Sequence, residues 1–234
     1  MSHLHIPDGV LPPLVWIVGA ILAVLALALS GRFTRHHGPQ EIAFQSALGG
    51  IMLAVMAIPV PITAFDYCMT LAGPIGVLLG AAGALQVSFV VTVILALLGQ
   101  GGFTVIGLNT LVLGAGAALA RPVYRALLPW LRPPGAMAAA TAISQLFSSA
   151  LWIGMLWLSV LVAPASAREH EVAHALTWLK GGALVAVLVP LLGLAVGVEA
   201  LLGYGLAGFL DRVRPDLLPR PRVARAPAPG GVTP

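Results

Sequence analysis

The sequence predicts an all-α integral membrane protein, a bundle of about seven transmembrane helices with the amino terminus outside and the carboxy terminus cytoplasmic. Three observations carry this. Apolar residues make up 59% of the 234 positions and charged residues 9%, against about 25% charged residues in a soluble domain. Several apolar runs reach the roughly 20 residues that a spanning helix needs. Between the runs, arginines gather in short clusters, as they do in cytoplasmic loops. The runs lack the apolar–polar alternation of barrel strands, so a β-barrel is set aside.

The elements follow in order. A first helix is expected over about 12–30 and a second over about 41–58. Residues 71–98 are too long for one span and contain Gly80-Ala81-Ala82-Gly83. They fit a short pair, about 70–83 and 85–99. Further helices are expected over about 108–130 and 135–163, and a last one over about 176–210 with a break near Pro190. Residues 1–11 form an amino-terminal segment and 12–216 the helical domain. Residues 217–234, with proline every few positions, cannot form helix or strand and read as a disordered tail.

Arg32 and Arg35 follow the first helix, Arg121, Arg125 and Arg132 end or follow the fifth, and Arg212, Arg214, Arg220, Arg222 and Arg225 follow the last. Placing all three groups inside leaves the amino terminus, 59–69, 100–107 and 164–175 outside. The start lacks a positive n-region and a cleavage site, so the first apolar run is expected to stay as a helix. The formal charge of +4 sits in membrane-flanking loops and implies no nucleic-acid partner. The single cysteine, Cys68, excludes an internal disulfide. The expected location is the plasma membrane, with multiple passes through the bilayer. No hydrolase or transferase constellation and no phosphate-binding glycine loop occur, so an enzyme is not expected.

Ligand-type side chains are scarce, which draws attention to the start, Met1-Ser2-His3-Leu4-His5. An unblocked amine, the following backbone nitrogens and an early histidine hold a divalent cation in a square plane, the geometry that Cu(II) and Ni(II) favour. His3 has the spacing that closes such a plane from Met1; loss of Met1 would make it the second residue. The alternative is a histidine left there by the choice of start site. Asp8-Gly9 after Pro7 is a turn signal, and Asp8 otherwise reads as a cap.

His5-Ile6-Pro7-Asp8-Gly9-Val10-Leu11 resembles the start of the CbiM/NikM family, substrate-binding membrane components of energy-coupling-factor transporters for cobalt and nickel. The resemblance continues at Ile58-Pro59-Val60-Pro61, along Leu98 to Asn109 with its Gly101-Gly102-Phe103-Thr104 core, at Val198-Glu199-Ala200-Leu201-Leu202 and at Arg212-Val213-Arg214-Pro215-Asp216-Leu217-Leu218. It implies that one Co(II) or Ni(II) is carried as cargo, with no prosthetic group. The implied ligands are the terminal amine, the amide and ring of the adjacent histidine, and a histidine in the loop after the second helix. Implied partners are a coupling transmembrane subunit, ATP-binding-cassette ATPases and a small accessory membrane subunit.

Two departures stand out. Three residues precede His5, the histidine that matches the family's, so either His3 takes the amine-linked place or processing that exposes Leu4 restores the spacing. The loop histidine is absent, and Cys68 falls at its position in Phe65-Asp66-Tyr67-Cys68-Met69-Thr70. A thiolate binds Ni(II), Co(II), Zn(II) or Cu(I) well, and Asp66 adds a carboxylate. The alternatives are a small buried residue for Cys68 and a turn residue for Asp66.

Glu199 lies within an apolar run, where a charge costs about 2.5–3.5 kcal/mol on insertion scales. It is expected to meet a structural partner or a coupling subunit rather than the metal. Asn109 is expected either to hold the amino-terminal segment, as the resemblance implies, or to cap its helix. Gln86, Ser88, Ser144, Gln145, Ser148 and Ser149 are expected to bond between helices. His170 and His174, flanked by Glu169 and Glu171, share a helical face if that loop is helical. A solvated loop is the other reading.

Overall fold

The computed structural model describes residues 11–58, 60–62, 65–162 and 183–219, with side chains of 60–62 and 65–67 among those left aside. Six helices occur among the described residues: α1 Pro13–Thr34, α2 Pro39–Met56, α3 Ala72–Leu97, α4 Ile106–Leu127, α5 Pro133–Val162 and α6 Ala183–Val213. A short antiparallel hairpin, β1 Val60–Ile62 and β2 Phe65–Tyr67, joins α2 to α3, with Pro61 opposite Asp66. A 3-10 turn, Pro215–Leu217, follows α6.

All but α2 are long and apolar enough to cross a membrane. The first half of α2 carries Gln40, Glu41 and Gln45. Its start is capped by the Glu41 carboxylate, which accepts the Gly38 N–H at 2.9 Å. This carboxylate in the first turn also suits the helix dipole.

The expected short pair over about 70–83 and 85–99 is present as two helical arms within α3, which meet at Gly80, whose φ of 74° and ψ of 179° lie outside the helical region. Contacts with α4 give the path. Gly76 packs on the Ala117 carbonyl, and Val77 and Leu78 meet Arg121. Up to Gly80 the chain therefore runs parallel to α4. Beyond it, Leu85 meets Gly114 and Thr92 meets Thr110, so the direction is reversed. The first arm, residues 72–79, is about 12 Å long at about 1.5 Å per residue. It cannot cross a hydrocarbon core of about 30 Å.

The arm packs closely because glycines stand where it meets other helices, Gly73 against Thr141 and Gly76 against Ala117. A Cβ at Gly76 would overlap the Ala117 backbone. Gly80 must be glycine for its positive φ, and a side chain there would meet the Arg121 guanidinium. In α6 the expected break near Pro190 does not occur, and the helix continues through it. Membrane helices tolerate proline because neighbouring helices and local adjustment can satisfy the backbone group it leaves over.

Three apolar clusters hold the bundle. One joins Met52 and Met56 of α2 to Ala72, Ile75, Val87, Val91 and Leu95 of α3 and Leu113 of α4. A second joins Val77, Tyr124, Met137, Ala207 and Leu210. Leu218 belongs to it and is buried, so the packed body extends beyond the expected boundary at 216. The third seats Leu11 and Val15 against Val105 and Leu108. Hydroxyls add cross-links: Ser144 donates to the Gly116 carbonyl at 2.6 Å and Ser148 to the Val112 carbonyl at 3.0 Å. Gln86 donates to Thr34 at 2.8 Å and accepts from Gln45 at 2.9 Å. Ser88, in contrast, is buried without a hydrogen-bond partner.

The two ends of the bundle differ. Leu11, the hairpin, Gln100 and Val105 lie at one end, where the Gln100 amide donates to the Ala57 carbonyl at 3.1 Å. At the other lie the end of α1 with Arg32, the α4–α5 turn with Arg125 and Arg132, and the end of α6 with Arg212 and Arg214. There Arg214 and Asp216 pair at 2.9 Å, both exposed. The hydrogen bond and charge of Asp216 hold the guanidinium above its ordinary pKa. Such an exposed pair adds little to stability.

Candidate functional site

The hairpin and the segment after it enter the bundle from the end that carries Leu11. After β2 comes Cys68, half-buried, then Met69 and the fully buried Thr70. Thr70 sits deep. Its backbone N–H donates to Glu199 Oε1 at 2.8 Å, and its hydroxyl lies 2.9 Å from both carboxylate oxygens. Glu199 is near the middle of α6 and has no exposed surface. The Gln145 amide, in α5, is 3.4 Å from the same hydroxyl.

A hydroxyl has one proton to give, and here the carboxylate takes it. Its lone pairs remain for others, and the Ala72 N–H uses one at 3.2 Å. Thr70 thereby acts on both sides of a sharp bend. Between Thr70 and Ala72, Leu71 has φ 52° and ψ 16°, a left-handed conformation that a bulky residue rarely adopts. Such a conformation persists where surrounding bonds impose it. Here those bonds come from Glu199 and Thr70.

At the far end of the arm, Arg121 of α4 completes the backbone. Its Nε donates to the Val77 carbonyl at 2.7 Å and an Nη donates to the Leu78 carbonyl at 2.6 Å. The last carbonyls of a helix have no partner of their own, and in a bilayer no water replaces one. The break at Gly80 therefore depends on a donor fork within reach. Arginine supplies two parallel N–H groups in a fixed plane.

Asn109 is buried in the first turns of α4. Val105 is the N-cap, and the Asn109 N–H already bonds the Val105 carbonyl at 2.9 Å, so Asn109 does not cap the helix. One helical turn on, Leu113 shares a cluster with Ala72 and Met56. Residues four apart share a helix face, so Asn109 lies on the side of α4 along which the loop descends. Leu11 is packed on the same stretch, against Val105 and Leu108.

Met1, Ser2, His3, His5 and Asp8 lie outside the described residues, as do His170 and His174. Asp66 has its backbone in β2, and its side chain is outside the description. Among the described residues no group of three or more metal-ligating side chains occurs. The structure does bring Glu199 to the residue that follows Met69. Sequence reasoning missed Thr70 and Arg121 as parts of this arrangement. Arg121 had been grouped with the loop arginines, yet it lies well inside α4. The signal available was its place within an apolar, alanine-rich run rather than beyond it.

A helical body with five helices long and apolar enough to span, a short arm and arginines gathered at one end defines a multi-pass membrane protein. The chain matches the family model CbiM, described as "Cobalt uptake substrate-specific transmembrane region", over residues 5–217. It belongs to that family and is a membrane component of cobalt/nickel transport. Two solved structures share the fold. One, described as a transition metal transporter, superposes with a TM-score of 0.75 at 20% identity, covering 89% of this chain and 93% of its own. The other, a truncated transition metal transporter, gives 0.69 at 19%, covering 88% and 96%. No curated protein matches the sequence significantly.

Proposed function

We propose that this chain captures Co(II) or Ni(II) at the end of the bundle that carries Leu11 and serves as the substrate-specific subunit of an energy-coupling-factor importer. Membership of the CbiM family over residues 5–217 is the observation that carries the reading. The amine and His3 or His5 supply nitrogen donors, and Cys68 supplies a thiolate where the family places a histidine. Asp66 offers a carboxylate in the same loop. Asp8 turns the amino-terminal segment, and Asn109 holds it. Arginines at the opposite end favour the cytoplasmic side for that end, which leaves the capture end outside. ATP is handled by separate ATPases acting through a coupling transmembrane subunit.

The thiol supports a second reading, a preference for a softer ion than the usual cargo. Affinities of a given site rise from Co(II) through Ni(II) to Cu(II), and sulfur donors strengthen softer ions further. Metal content of the purified full-length protein tests both readings, after loading with each ion and desalting. The expected result is one bound ion in the wild type and a marked loss in Cys68→Ala and in His3→Ala or His5→Ala. Intact mass of the same sample identifies which histidine lies next to the amine. Equal occupancy in all variants would overturn the ligand assignment.

A further inference from the structure

The arm formed by residues 72–79 has an acid at its amino end and a base at its carboxyl end, and both come from other helices. Glu199 of α6 accepts the Thr70 N–H just before the arm starts, and Arg121 of α4 donates to the Val77 and Leu78 carbonyls where it stops. A helix carries partial positive charge at its amino end and partial negative charge at its carboxyl end. The two side chains therefore match the arm's dipole at both ends. Each is a side chain whose charge is costly within a bilayer; Thr70 gives Glu199 its donors at one end, and the arm's last carbonyls accept from Arg121 at the other. Neither contact involves the arm's own side chains, so neither is explained by packing alone.

We infer that Glu199 and Arg121 are positioning residues that together set the place of the Cys68 segment. The arm is a short rigid rod, and Leu71 in its left-handed conformation joins it to Thr70 without slack. Release of the Arg121 fork frees the carbonyls at one end; release of Glu199 frees the amide and hydroxyl at the other. Either change lets the rod shift and moves Cys68 with it. This inference deepens the proposed capture site, because Cys68 is its loop ligand, but the mechanical statement does not need a metal.

Cys68 is the single cysteine, so its thiol reports on the loop in the natural protein. The test is the rate of maleimide alkylation of the full-length chain in lipid nanodiscs, in the presence of a chelator. Glu199→Ala and Arg121→Ala are each expected to speed labelling by about tenfold or more, because lost hydrogen bonds to charged groups raise the open population by that order. Glu199→Asp and Arg121→Lys are expected to recover most of the protection. Ser148→Ala, which removes the bond to the Val112 carbonyl elsewhere in the bundle, is expected to stay within about threefold of the wild type.

Wild-type rates in both alanine variants would overturn the inference. So would acceleration by Glu199→Ala alone, because the arm would then not act as one body, and so would equal acceleration by Ser148→Ala. Should an alanine variant fail to fold, Glu199→Gln and Arg121→Gln make the same comparison. A parallel series with Co(II) or Ni(II) added separates the two claims. Absence of metal protection at Cys68 would count against the capture site and leave the positioning result intact.

Discussion

The carboxylate of Glu199 holds Thr70 by its backbone and its side chain at once, at 2.8 and 2.9 Å. The two residues are far apart in sequence and belong to α6 and to the loop before α3. Their contact lies at the depth of Gln145, well inside α5. A loop that enters a membrane bundle this far needs its polar backbone satisfied by protein, and one buried acid serves that purpose.

Thr70→Val follows directly. Valine keeps the shape and removes the hydroxyl, leaving the carboxylate with the amide as its remaining donor from Thr70. A hydrogen bond to a charged group contributes about 1.5–3 kcal/mol. The variant should lose stability of that order, read as a lower midpoint of thermal unfolding in detergent. Thr70→Ser, which keeps the hydroxyl, should lie close to the wild type.

Gly80→Ala tests the break in α3. A side chain at φ 74° is strained and would also press on the Arg121 guanidinium at 2.7 Å. The left-handed region costs about 1–2 kcal/mol for a residue other than glycine, and displacement of the fork adds to it. A lowered unfolding midpoint is expected, whereas alanine at Gly50, which is helical and where a Cβ meets nothing within 4 Å, should keep or raise it.

Gln86→Leu should loosen α1. The Gln86 amide bonds Thr34 at 2.8 Å and accepts from Gln45 at 2.9 Å, joining three helices through one side chain. Hydrogen bonds between membrane helices average about 0.6 kcal/mol, so a loss of about 1 kcal/mol is the expected scale. Faster hydrogen–deuterium exchange at the Arg32 end of α1, with little change in α5, would show it.

Metal loading should depend on pH with a definite sign. The proposed donors bind only when deprotonated, and protons compete with the ion. An imidazole titrates near about 6.5 and an α-amine near about 7.7–8.0. Apparent affinity should therefore fall as pH drops from about 8 toward 6, as measured by competition with a fluorescent chelator. A flat profile across that window would argue against nitrogen donors.

Much of this fold was legible because membrane helices announce themselves through long apolar runs. The boundaries of α1, α4 and α5 lie close to expectation for that reason. The path of α3 was legible only in part. Its length and the glycines from Gly80 to Gly83 pointed to an interruption. That the first arm stops short of a span depends on Thr70, Glu199 and Arg121 meeting across distant parts of the chain. Hydropathy carries no record of such pairings. The same holds for Arg121, which reads as a loop cation by composition and is an internal donor by geometry. Pro190 misled in the opposite direction, because a helix within a bundle tolerates proline that a lone helix would not.

The shortness of the first α3 arm sets the thickness of the floor beneath the Cys68 loop. Residues 72–79 form a plug of about 12 Å, fitted so closely that glycine is required where it meets Ala117. A cation resting on that loop would already have passed much of the oily layer's depth, with about two turns of tightly seated helix below it. If the cargo takes the proposed path, the barrier to leakage would be the fit of this arm against its neighbours, and discharge would call for unseating a stopper rather than opening a long tunnel.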